Sequence, residues 1–279
     1  MKLRIAILSF CAALIFLGCK EEVKTESKPT QNTSSAELDK VTPELHYSLV
    51  SVLPHDSSAF TEGLLFNDGK LYESTGAPNN IAGTRSTVGI VDLKTGKLDV
   101  KIEIDRNTYF GEGIQILNGK IFQLTYQNQI CFVYNLKNFK QVAQFNYPNK
   151  EGWGLTTDGK ELIMSDGSSQ LTYIDVDSYQ ITKKQIVSEL GYEVFNLNEL
   201  EYVDGYIYAN VWMTNRIVKI DASTGNVVAA ADLTALVEQA RKRNANISEM
   251  NGIAYNPQNK HFYITGKMWS SMYELQFAD

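Results

Sequence analysis

Cysteine and histidine are scarce in this chain, and their scarcity argues against several kinds of chemistry. Three residues of each type occur among 279. The histidines, His46, His55 and His261, form no His-Glu-x-x-His arrangement and have no CxxC partner, so we expect no zinc site. A Gly-rich phosphate loop and a Gly-x-Ser-x-Gly nucleophile elbow are also missing. The sequence leaves a Ser–His–acid triad open, although no histidine occupies an equivalent position in the repeats described below.

Positive charge and a long apolar run are also lacking. The formal net charge is −6 at pH 7 and the isoelectric point is about 5.2. An acidic balance argues against a nucleic-acid-binding surface, which is normally basic. The N-terminal apolar run, Ile5 to Leu17, has 13 residues. That length is too short for a comfortable membrane span.

The first residues have the pattern of a targeting signal. Lys2 and Arg4 precede the apolar run, which ends in Leu17-Gly18-Cys19. This resembles a bacterial lipoprotein signal, in which the cysteine becomes the lipidated first residue of the mature chain. We therefore expect a signal peptide over residues 1–18 and an exported cell-envelope lipoprotein, periplasmic or at the cell surface, anchored in the membrane through Cys19. An ordinary secretory signal with an incidental cysteine is the alternative.

The remaining cysteine and the following polar stretch bound the globular domain. With Cys11 removed and Cys19 lipidated, Cys131 is the only free thiol, so an internal disulfide is excluded. It lies in an apolar run and is expected to be a buried small hydrophobe. Residues 19–44 are too polar to fold and predict a flexible tether. The folded domain is then expected to span residues 45–279.

A short phrase recurs five times in the rest of the chain, at intervals of 41 to 52 residues. After each copy come a turn, a second apolar run and a third run such as Val88-Gly-Ile-Val-Asp. Four strands in about 40–50 residues are typical of a propeller blade. The five copies are Phe60-Thr-Glu-Gly-Leu, Phe110-Gly-Glu-Gly-Ile, Glu151-Gly-Trp-Gly-Leu, Asn198-Glu-Leu-Glu-Tyr and Glu249-Met-Asn-Gly-Ile.

The repeats predict an all-β fold, a five-bladed β-propeller with one short helical insertion near residues 232–243. The fifth repeat ends at the C-terminus after its third strand, so Tyr47 to Leu53 is predicted to supply the missing strand and close the ring. In the insertion, Leu233, Leu236, Val237 and Ala240 share one helical face, and Asp232 can serve as N-cap.

Equivalent positions of the five repeats should converge on one mouth of the central axis. The start of each innermost strand lies near the axis, and the end of the antiparallel second strand lies beside it. Aromatic walls with a few convergent polar groups are typical of a ligand pocket. The strand starts carry Phe60, Glu62, Phe110, Glu112, Trp153, Asn198 and Asn251, and the second-strand ends carry Tyr126, Asp166, Trp212 and Lys267.

Each of these side chains also has a purely structural interpretation. Phe60 and Phe110 are equally compatible with ordinary core packing, as aromatics at blade starts often are. Glu112 is different, because a carboxylate near the axis is costly to bury without partners. It is therefore expected to be exposed in the mouth or functional. Lys267, at the end of an aromatic strand, is expected to point towards a ligand.

Seven ordered motifs resemble those of plant-type glutaminyl-peptide cyclotransferases. The resemblance extends from about residue 46 to residue 277 and implies a five-bladed propeller that uses no metal and no cofactor. Two positions depart from the family pattern: Glu62 stands where glutamine is expected, and Tyr126 where tryptophan is expected. The motifs are Ala59-Phe-Thr-Glu-Gly-Leu, Phe110-Gly-Glu-Gly, Glu151-Gly-Trp-Gly-Leu-Thr-Thr-Asp-Gly, Leu197-Asn-Glu-Leu-Glu, Asn210-Val-Trp, Met250-Asn-Gly-Ile-Ala and Thr265-Gly-Lys-Met-Trp.

The resemblance implies cyclisation of an N-terminal glutaminyl residue to pyroglutamate, with release of ammonia. Peptides or proteins that begin with glutamine are then the expected partners, and a monomer is the expected state. Glu112 is the implied proton shuttle, and Lys267 and Asn198 are placed to donate to the carbonyl oxygen. The implied substrate-binding residues are Phe60, Glu62, Phe110, Tyr126, Trp153 and Trp212.

Two other functions are also compatible with the sequence. One is a non-catalytic surface propeller that binds peptides or glycans, since a fold alone does not define function. The other is a metal-dependent propeller hydrolase or lactonase. An unpaired acid, a lysine and an amide inside the mouth favour an enzyme over a binding module. A metal-dependent enzyme would need more ligands converging on the axis than the sequence places there.

Overall fold

The computed structural model describes residues 41–278, which form the predicted five-bladed β-propeller. Every blade is a four-stranded antiparallel sheet whose strands follow one another in sequence, except where the chain ends meet. The predicted signal peptide, Cys19 and the tether up to residue 40 lie outside the described residues. At the end of the predicted tether, the Ala230 N–H donates to Pro43 O at 2.9 Å, and the Leu45 N–H donates to Ala230 O at 2.9 Å.

Twenty strands build the blades, numbered here from the axis outwards within each repeat. The first strand of the chain, β1 (Tyr47–Pro54), belongs to the last blade. Blade 1 comprises β2 (Thr61–Asn67), β3 (Lys70–Thr75), β4 (Thr87–Val91) and β5 (Leu98–Glu103), and blade 2 comprises β6 (Gly111–Leu117), β7 (Lys120–Thr125), β8 (Ile130–Asn135) and β9 (Gln141–Asn146).

The later blades follow the same plan, with two additions between them. A small hairpin separates blades 3 and 4, and a helix separates blades 4 and 5. Blade 3 comprises β10 (Leu155–Thr157), β11 (Glu161–Met164), β12 (Gln170–Asp175) and β13 (Ile181–Ile186), and the hairpin that follows is β14 (Ser188–Glu189) and β15 (Tyr192–Glu193). Blade 4 comprises β16 (Leu197–Val203), β17 (Tyr206–Val211), β18 (Arg216–Asp221) and β19 (Val227–Asp232), and the helix that follows is α1 (Thr234–Arg243). Blade 5 contains β20 (Met250–Asn256), β21 (His261–Gly266) and β22 (Ser271–Phe277).

Tight turns join the first and second strands of several blades. Asp68-Gly69, Asn118-Gly119 and Asp204-Gly205 all have positive φ at both residues. Asn-Gly and Asp-Gly dipeptides suit this backbone, whose twist matches that of the flanking strands in a hairpin. The turn dipeptides in the sequence therefore set the hairpins that begin each of these blades.

The chain ends close the ring as predicted. β1 pairs antiparallel with β22, from Tyr47 opposite Phe277 to Pro54 opposite Ser271, and becomes the outermost strand of blade 5. The innermost strands contact one another around the axis in the order β2, β6, β10, β16, β20 and back to β2. This closure covers the edges that an open array of blades would leave unpaired.

The hydrophobic core is divided into five clusters, one between each pair of neighbouring blades. Cys131 is fully buried in the cluster between blades 2 and 3, and burial raises the pKa of its thiol. The prediction of a buried small hydrophobe is confirmed. Because the core lies between blades, the axis itself is left to the polar residues of the innermost strands.

The helix begins two residues later than predicted. Asp232 is the last residue of β19, where it pairs with Arg216, and Leu233 occupies the N-cap position. The Asp232 carboxylate instead accepts the Thr234 N–H at 2.9 Å. The predicted apolar face is confirmed, because Leu233, Leu236, Val237 and Ala240 are buried against blades 4 and 5. Among residues 41–278, no helix has the length and apolar character required to cross a bilayer.

Candidate active site

A cavity of about 570 Å³ opens at the mouth of the propeller. It lies where the innermost strands begin and the second strands end, as the repeat predicts. Its volume is that of a typical small-ligand pocket. All nine residues predicted for catalysis or substrate binding line it: Phe60, Glu62, Phe110, Glu112, Tyr126, Trp153, Asn198, Trp212 and Lys267.

Irregular strand pairing turns the polar side chains towards this mouth. The register of β2 against β3 shifts between Thr61 and Gly63, which leaves Glu62 outside the ladder. Equivalent shifts between positions 111 and 114 and between 197 and 200 release Glu112 and Asn198. Bulges of this kind bend a strand and re-aim its side chains. In blades 1, 2, 4 and 5 the repeated phrase therefore forms a bulge at the axis, whereas the pairing of β10 with β11 in blade 3 is regular.

Glycines in the phrase allow neighbouring blades to approach closely. The Gly113 N–H donates to Trp153 O at 2.8 Å. A Cβ at Gly113 would lie 2.5 Å from Trp153 O, and one at Gly154 would lie 2.1 Å from Asn198 O. No side chain with a Cβ fits at such distances. Each glycine therefore allows the backbone of one blade to contact the backbone of the next, and this contact fixes the separation of the site residues.

A buried ion pair forms the floor of the cavity. Lys267 Nζ lies 2.8 Å from Glu62 Oε1, and the two side chains are 9% and 2% exposed. Asn251 Nδ2 donates to the other oxygen, Glu62 Oε2, at 3.2 Å. The ammonium also lies 4.8 Å from the centroid of the Phe60 ring, within reach of a cation–π interaction. Both oxygens of Glu62 are thus engaged inside the protein.

The two acids of the site differ in their expected charge. Burial, and then the charge of Glu62, raise the pKa of Glu112 well above its ordinary value, against the opposing effect of Lys267. Burial raises the pKa of Glu62 to about 7, although Lys267 acts to lower it. Burial also acts to lower the pKa of Lys267, but Glu62 and Glu112 outweigh it and raise that pKa. Lys267 therefore favours the ionised form of Glu62, whereas burial and the charge of Glu62 favour the protonated form of Glu112.

Aromatic rings form the walls above these groups. Phe60 contacts Phe110 edge to face with centroids 6.1 Å apart, and Phe110 contacts Tyr126 at 5.9 Å. On the opposite side, Trp153 and Trp212 meet edge to face at 5.5 Å. The phenylalanines pack together and also line the cavity, so they serve both as packing and as walls. These rings make the walls next to the floor largely apolar.

Asn198 brings an amide to the same floor. It is 3% exposed, and its backbone oxygen accepts a hydrogen bond from Ser165 Oγ at 2.7 Å. Its side-chain Oδ1 has no hydrogen-bond partner among the described residues. Buried polar atoms are rarely left unpaired. The backbone of Asn198 is therefore fixed by Ser165, and the side-chain Oδ1 is left without a partner inside the protein.

Two predicted mouth residues do not line the cavity. Asp166 Oδ2 accepts a hydrogen bond from Asn149 Nδ2 at 2.7 Å, and its Oδ1 accepts the Ser168 N–H at 3.0 Å. Its carboxylate thus closes a local turn instead of facing the axis. Asn251 is fully buried and supports Glu62 from behind. Both predictions were wrong because strand position alone does not give side-chain direction.

Other residues of the site were missed by the sequence analysis. Glu151 accepts a hydrogen bond from Trp153 Nε1 at 2.9 Å and another from Gln127 Nε2 at 3.0 Å, which fixes the indole. It opens the third copy of the phrase and Glu249 opens the fifth, a shared position that could have marked it. Loop residues around Arg106 extend the cavity outwards, and no repeat marks them.

The described residues offer no evident metal-binding cluster. Over residues 41–278, no group of three or more histidine, cysteine, aspartate or glutamate side chains is arranged to hold a metal ion. On the floor, the Glu62 carboxylate is instead paired with Lys267 and accepts a hydrogen bond from the Asn251 amide. The chemical groups assembled at the mouth are thus two buried acids, a lysine, an amide and aromatic walls.

Comparisons with known proteins identify the family of this chain. The sequence profile of the glutamine cyclotransferase family matches residues 20–277. The chain is 39% identical over 230 residues to the glutaminyl-peptide cyclotransferase of Arabidopsis thaliana, covering 82% of this chain and 70% of that protein. The crystal structure of Myxococcus xanthus glutaminyl cyclase matches with a TM-score of 0.76 and 29% identity, covering 86% of this chain and all of that one. The chain therefore belongs to the glutamine cyclotransferase family.

Proposed function

We propose that this protein is a glutaminyl-peptide cyclotransferase, which converts the N-terminal glutaminyl residue of a peptide to pyroglutamate and releases ammonia. The observation that carries the proposal is the buried Glu112, whose pKa is raised by burial, in one aromatic cavity with Lys267 and Asn198. Membership of the glutamine cyclotransferase family supports the same reaction. A module that only binds peptides has no need of such an acid.

The aromatic slot supplies the geometry of the reaction. The α-amine and the amide carbon belong to the same residue, so the site has to hold a bent conformer in which they meet. Holding reacting groups in place removes much of the entropic barrier. Phe60 and Phe110 on one side, and Trp153 and Trp212 on the other, can pack the two methylenes of the glutaminyl side chain. Their rigid edge-to-face contacts keep the slot formed before substrate arrives.

Glu112 can carry both proton transfers. The α-nitrogen forms a bond to the amide carbon, and the bond from that carbon to the amide nitrogen breaks. A protonated carboxyl donates its proton to the departing nitrogen while its second oxygen accepts one from the attacking amine. Ammonia leaves and Glu112 is protonated again. General acid–base help of this kind is typically worth about 10²–10⁴-fold.

Lys267 and Asn198 are proposed to stabilise the oxygen of the tetrahedral intermediate. A lysine ammonium has three donors, and Glu62 takes one of them. The others, with the Asn198 amide, can face the cavity. Preorganised donors of this type contribute much of the stabilisation in acyl transfer. Glu62 is better placed to hold Lys267 than to bind the substrate amine, because both of its oxygens are already occupied.

Ammonia release from a glutamine-initiated dipeptide tests the proposed reaction. We expect Gln-Ala to yield stoichiometric ammonia and pyroglutamyl-Ala, and N-acetyl-Gln-Ala to yield none because its amine is blocked. Since the proton transfers are assigned to Glu112, EDTA should leave the rate unchanged. No ammonia from Gln-Ala would reject the function, and loss of activity in EDTA that zinc restores would reject the metal-independent mechanism.

The cellular location is a separate proposal. Lys2, Arg4 and the apolar run that ends at Cys19 support export and lipidation at that cysteine. The polar residues that follow suit a tether between membrane and propeller. Expression with radiolabelled palmitate should label the wild-type protein and leave Cys19→Ser unlabelled. Equal labelling of both proteins, or of neither, would contradict lipidation at Cys19.

A further inference from the structure

The cavity extends well beyond the catalytic floor, and only to one side of the axis. Its outer half is formed by residues 77–79 between β3 and β4, residues 106–109 between β5 and β6, and residues 127–128 between β7 and β8. All three segments belong to blades 1 and 2. The mouth therefore continues outwards as a slot in one direction.

One glutaminyl residue does not fill this space. It has nine non-hydrogen atoms, and if each takes at most the ~30 Å³ of a liquid water, they occupy about 270 Å³. The cavity holds about 570 Å³. Burial also changes along the slot: Glu112 and Lys267 on the floor are buried, whereas Asn79, Asn107 and Asn128 on the outer half are exposed. If the N-terminal residue of a peptide lies on the floor, the residues that follow it would therefore pass along the outer half of the cavity towards solvent.

The outer half carries a cation without an acidic partner. Arg106 Nη1 donates to Thr84 O at 2.7 Å, and Nη2 donates to Pro78 O at 3.1 Å. These bonds use two of the five N–H donors of a guanidinium. Arg85 and Arg216 form ion pairs with glutamates, but Arg106 forms none with any residue in the range 41–278. A guanidinium held in this way is prepared for a carboxylate.

The loops around Arg106 are braced against one another. Asn128 Nδ2 donates to Thr108 O at 3.1 Å and joins two of the three segments. The Arg106 bonds to Thr84 O and Pro78 O hold the third. The Asp105 carboxylate next to Arg106 is used within its own turn, where Oδ2 accepts the Thr108 hydroxyl at 2.8 Å. The outer half of the cavity is therefore preformed, and the Arg106 guanidinium is held at its wall.

We propose that the outer half of the cavity binds the second and third residues of the substrate peptide, and that Arg106 selects substrates with a carboxylate at one of them. The inference rests on the proposed function, because it takes the glutaminyl residue to occupy the floor. It adds a substrate class, acidic N-terminal peptides that begin with glutamine. A cation on this rim also opposes the overall charge of −6, which by itself would repel such peptides.

Isosteric peptide pairs test the selection. The pairs are Gln-Glu-Ala-amide with Gln-Gln-Ala-amide, and Gln-Ala-Glu-amide with Gln-Ala-Gln-amide, which differ only in one charge. We expect kcat/KM to favour the acidic member of at least one pair about fivefold, equivalent to the ~1 kcal/mol of a partly exposed ion pair. High salt should reduce the preference. Equal values within both pairs would overturn the inference.

Variants separate the charge of Arg106 from its support of the loop. Arg106→Gln should abolish the preference, and should lower kcat/KM for the acidic peptides by a larger factor than for Gln-amide, which has no second residue. Arg106→Lys keeps the charge and should keep at least half of the preference. Arg241→Gln, an equal charge change on the exposed face of α1, should behave as wild type. If Arg106→Lys and Arg106→Gln lose the preference to the same extent, the preference depends on the loop conformation and not on the charge. The inference is then wrong.

The two proposals fail in different ways. If Gln-amide and every peptide remain uncyclised, the proposed function fails and the subsite fails with it. If Gln-amide is cyclised but the charge of the second and third residues has no effect, only the subsite is rejected. A slower reaction of Arg106→Gln with Gln-amide, by the same factor as with acidic peptides, would likewise reject a role confined to the outer half.

Discussion

Replacement of Glu112 by glutamine is expected to lower kcat by about 10²–10⁴-fold without unfolding the propeller. Glutamine has the shape of glutamate but cannot pass a proton from the attacking amine to the departing nitrogen. The fold should tolerate the change, because burial and the charge of Glu62 favour the uncharged form of Glu112, and an uncharged amide has a similar shape. Ammonia release from Gln-Ala measures the rate, and urea denaturation checks the fold.

Glu201→Gln is the matched control for this prediction. Glu201 is also a buried glutamate on an innermost strand; burial raises its pKa to about 8, and its Oε1 accepts the Tyr255 N–H at 2.9 Å. It does not line the cavity, and glutamine keeps the acceptor oxygen. Near-wild-type activity is expected. If Glu112→Gln folds and turns over like this control, the proton shuttle has been assigned to the wrong residue.

The pH profile gives a second measure of Glu112. The α-amine of the substrate, with a pKa of about 7.7–8.0, must lose its proton before it can attack. Glu112 must keep its own proton, which its raised pKa allows at neutral pH. We therefore expect kcat/KM to rise with pH as the amine is deprotonated and to fall again as Glu112 is ionised. Any residual activity of Glu112→Gln should lack the fall at high pH.

Replacement of Lys267 by methionine is expected to affect both activity and stability. It removes a donor proposed for the reacting oxygen, which should cost about 10²-fold in kcat. It also leaves Glu62 buried without its ion-pair partner. Breaking a buried pair from one side typically costs about 3 kcal/mol or more in the free energy of unfolding. Enzyme kinetics and urea denaturation would record the two effects separately.

The stability loss should depend on pH in a defined direction. Lys267 lowers the pKa of Glu62, which is about 7 in the wild type, so its removal raises that pKa further. Below pH 7 Glu62 is protonated in both proteins, and the difference in unfolding free energy is small. Above pH 7 only the wild type can stabilise the ionised form, so the deficit of Lys267→Met grows. A deficit that is larger at pH 5.5 than at pH 8 would contradict the ion pair.

A double variant completes this test. Glu62→Gln with Lys267→Met leaves neither a buried carboxylate nor a buried ammonium, and removal of both partners costs much less than removal of one. The double variant should be more stable than Lys267→Met alone at pH 8. Its activity should nevertheless stay low, because the donor is still missing. Activity restored along with stability would show that Lys267 acts only through the fold.

The sequence by itself determined the repeat, the number of blades and half of the residues that line the cavity. Strand, turn and strand recur every 41 to 52 residues, and Asp-Gly or Asn-Gly turns fix where the first hairpin of blades 1, 2 and 4 reverses. A fifth repeat that lacks its last strand, together with an extra strand at the start of the domain, specified the closure of β1 against β22. These features are encoded by local patterns, so they could be predicted without coordinates.

The tertiary structure decided which way the side chains point and which groups meet. The bulges at Glu62, Glu112 and Asn198 depend on the pairing of two strands. The Glu62–Lys267 pair joins the first repeat to the last. Asp166 follows the second strand of blade 3, as predicted, but its carboxylate accepts a hydrogen bond in a local turn. Contacts between distant segments are set by packing across blades, and no local pattern in the sequence records them.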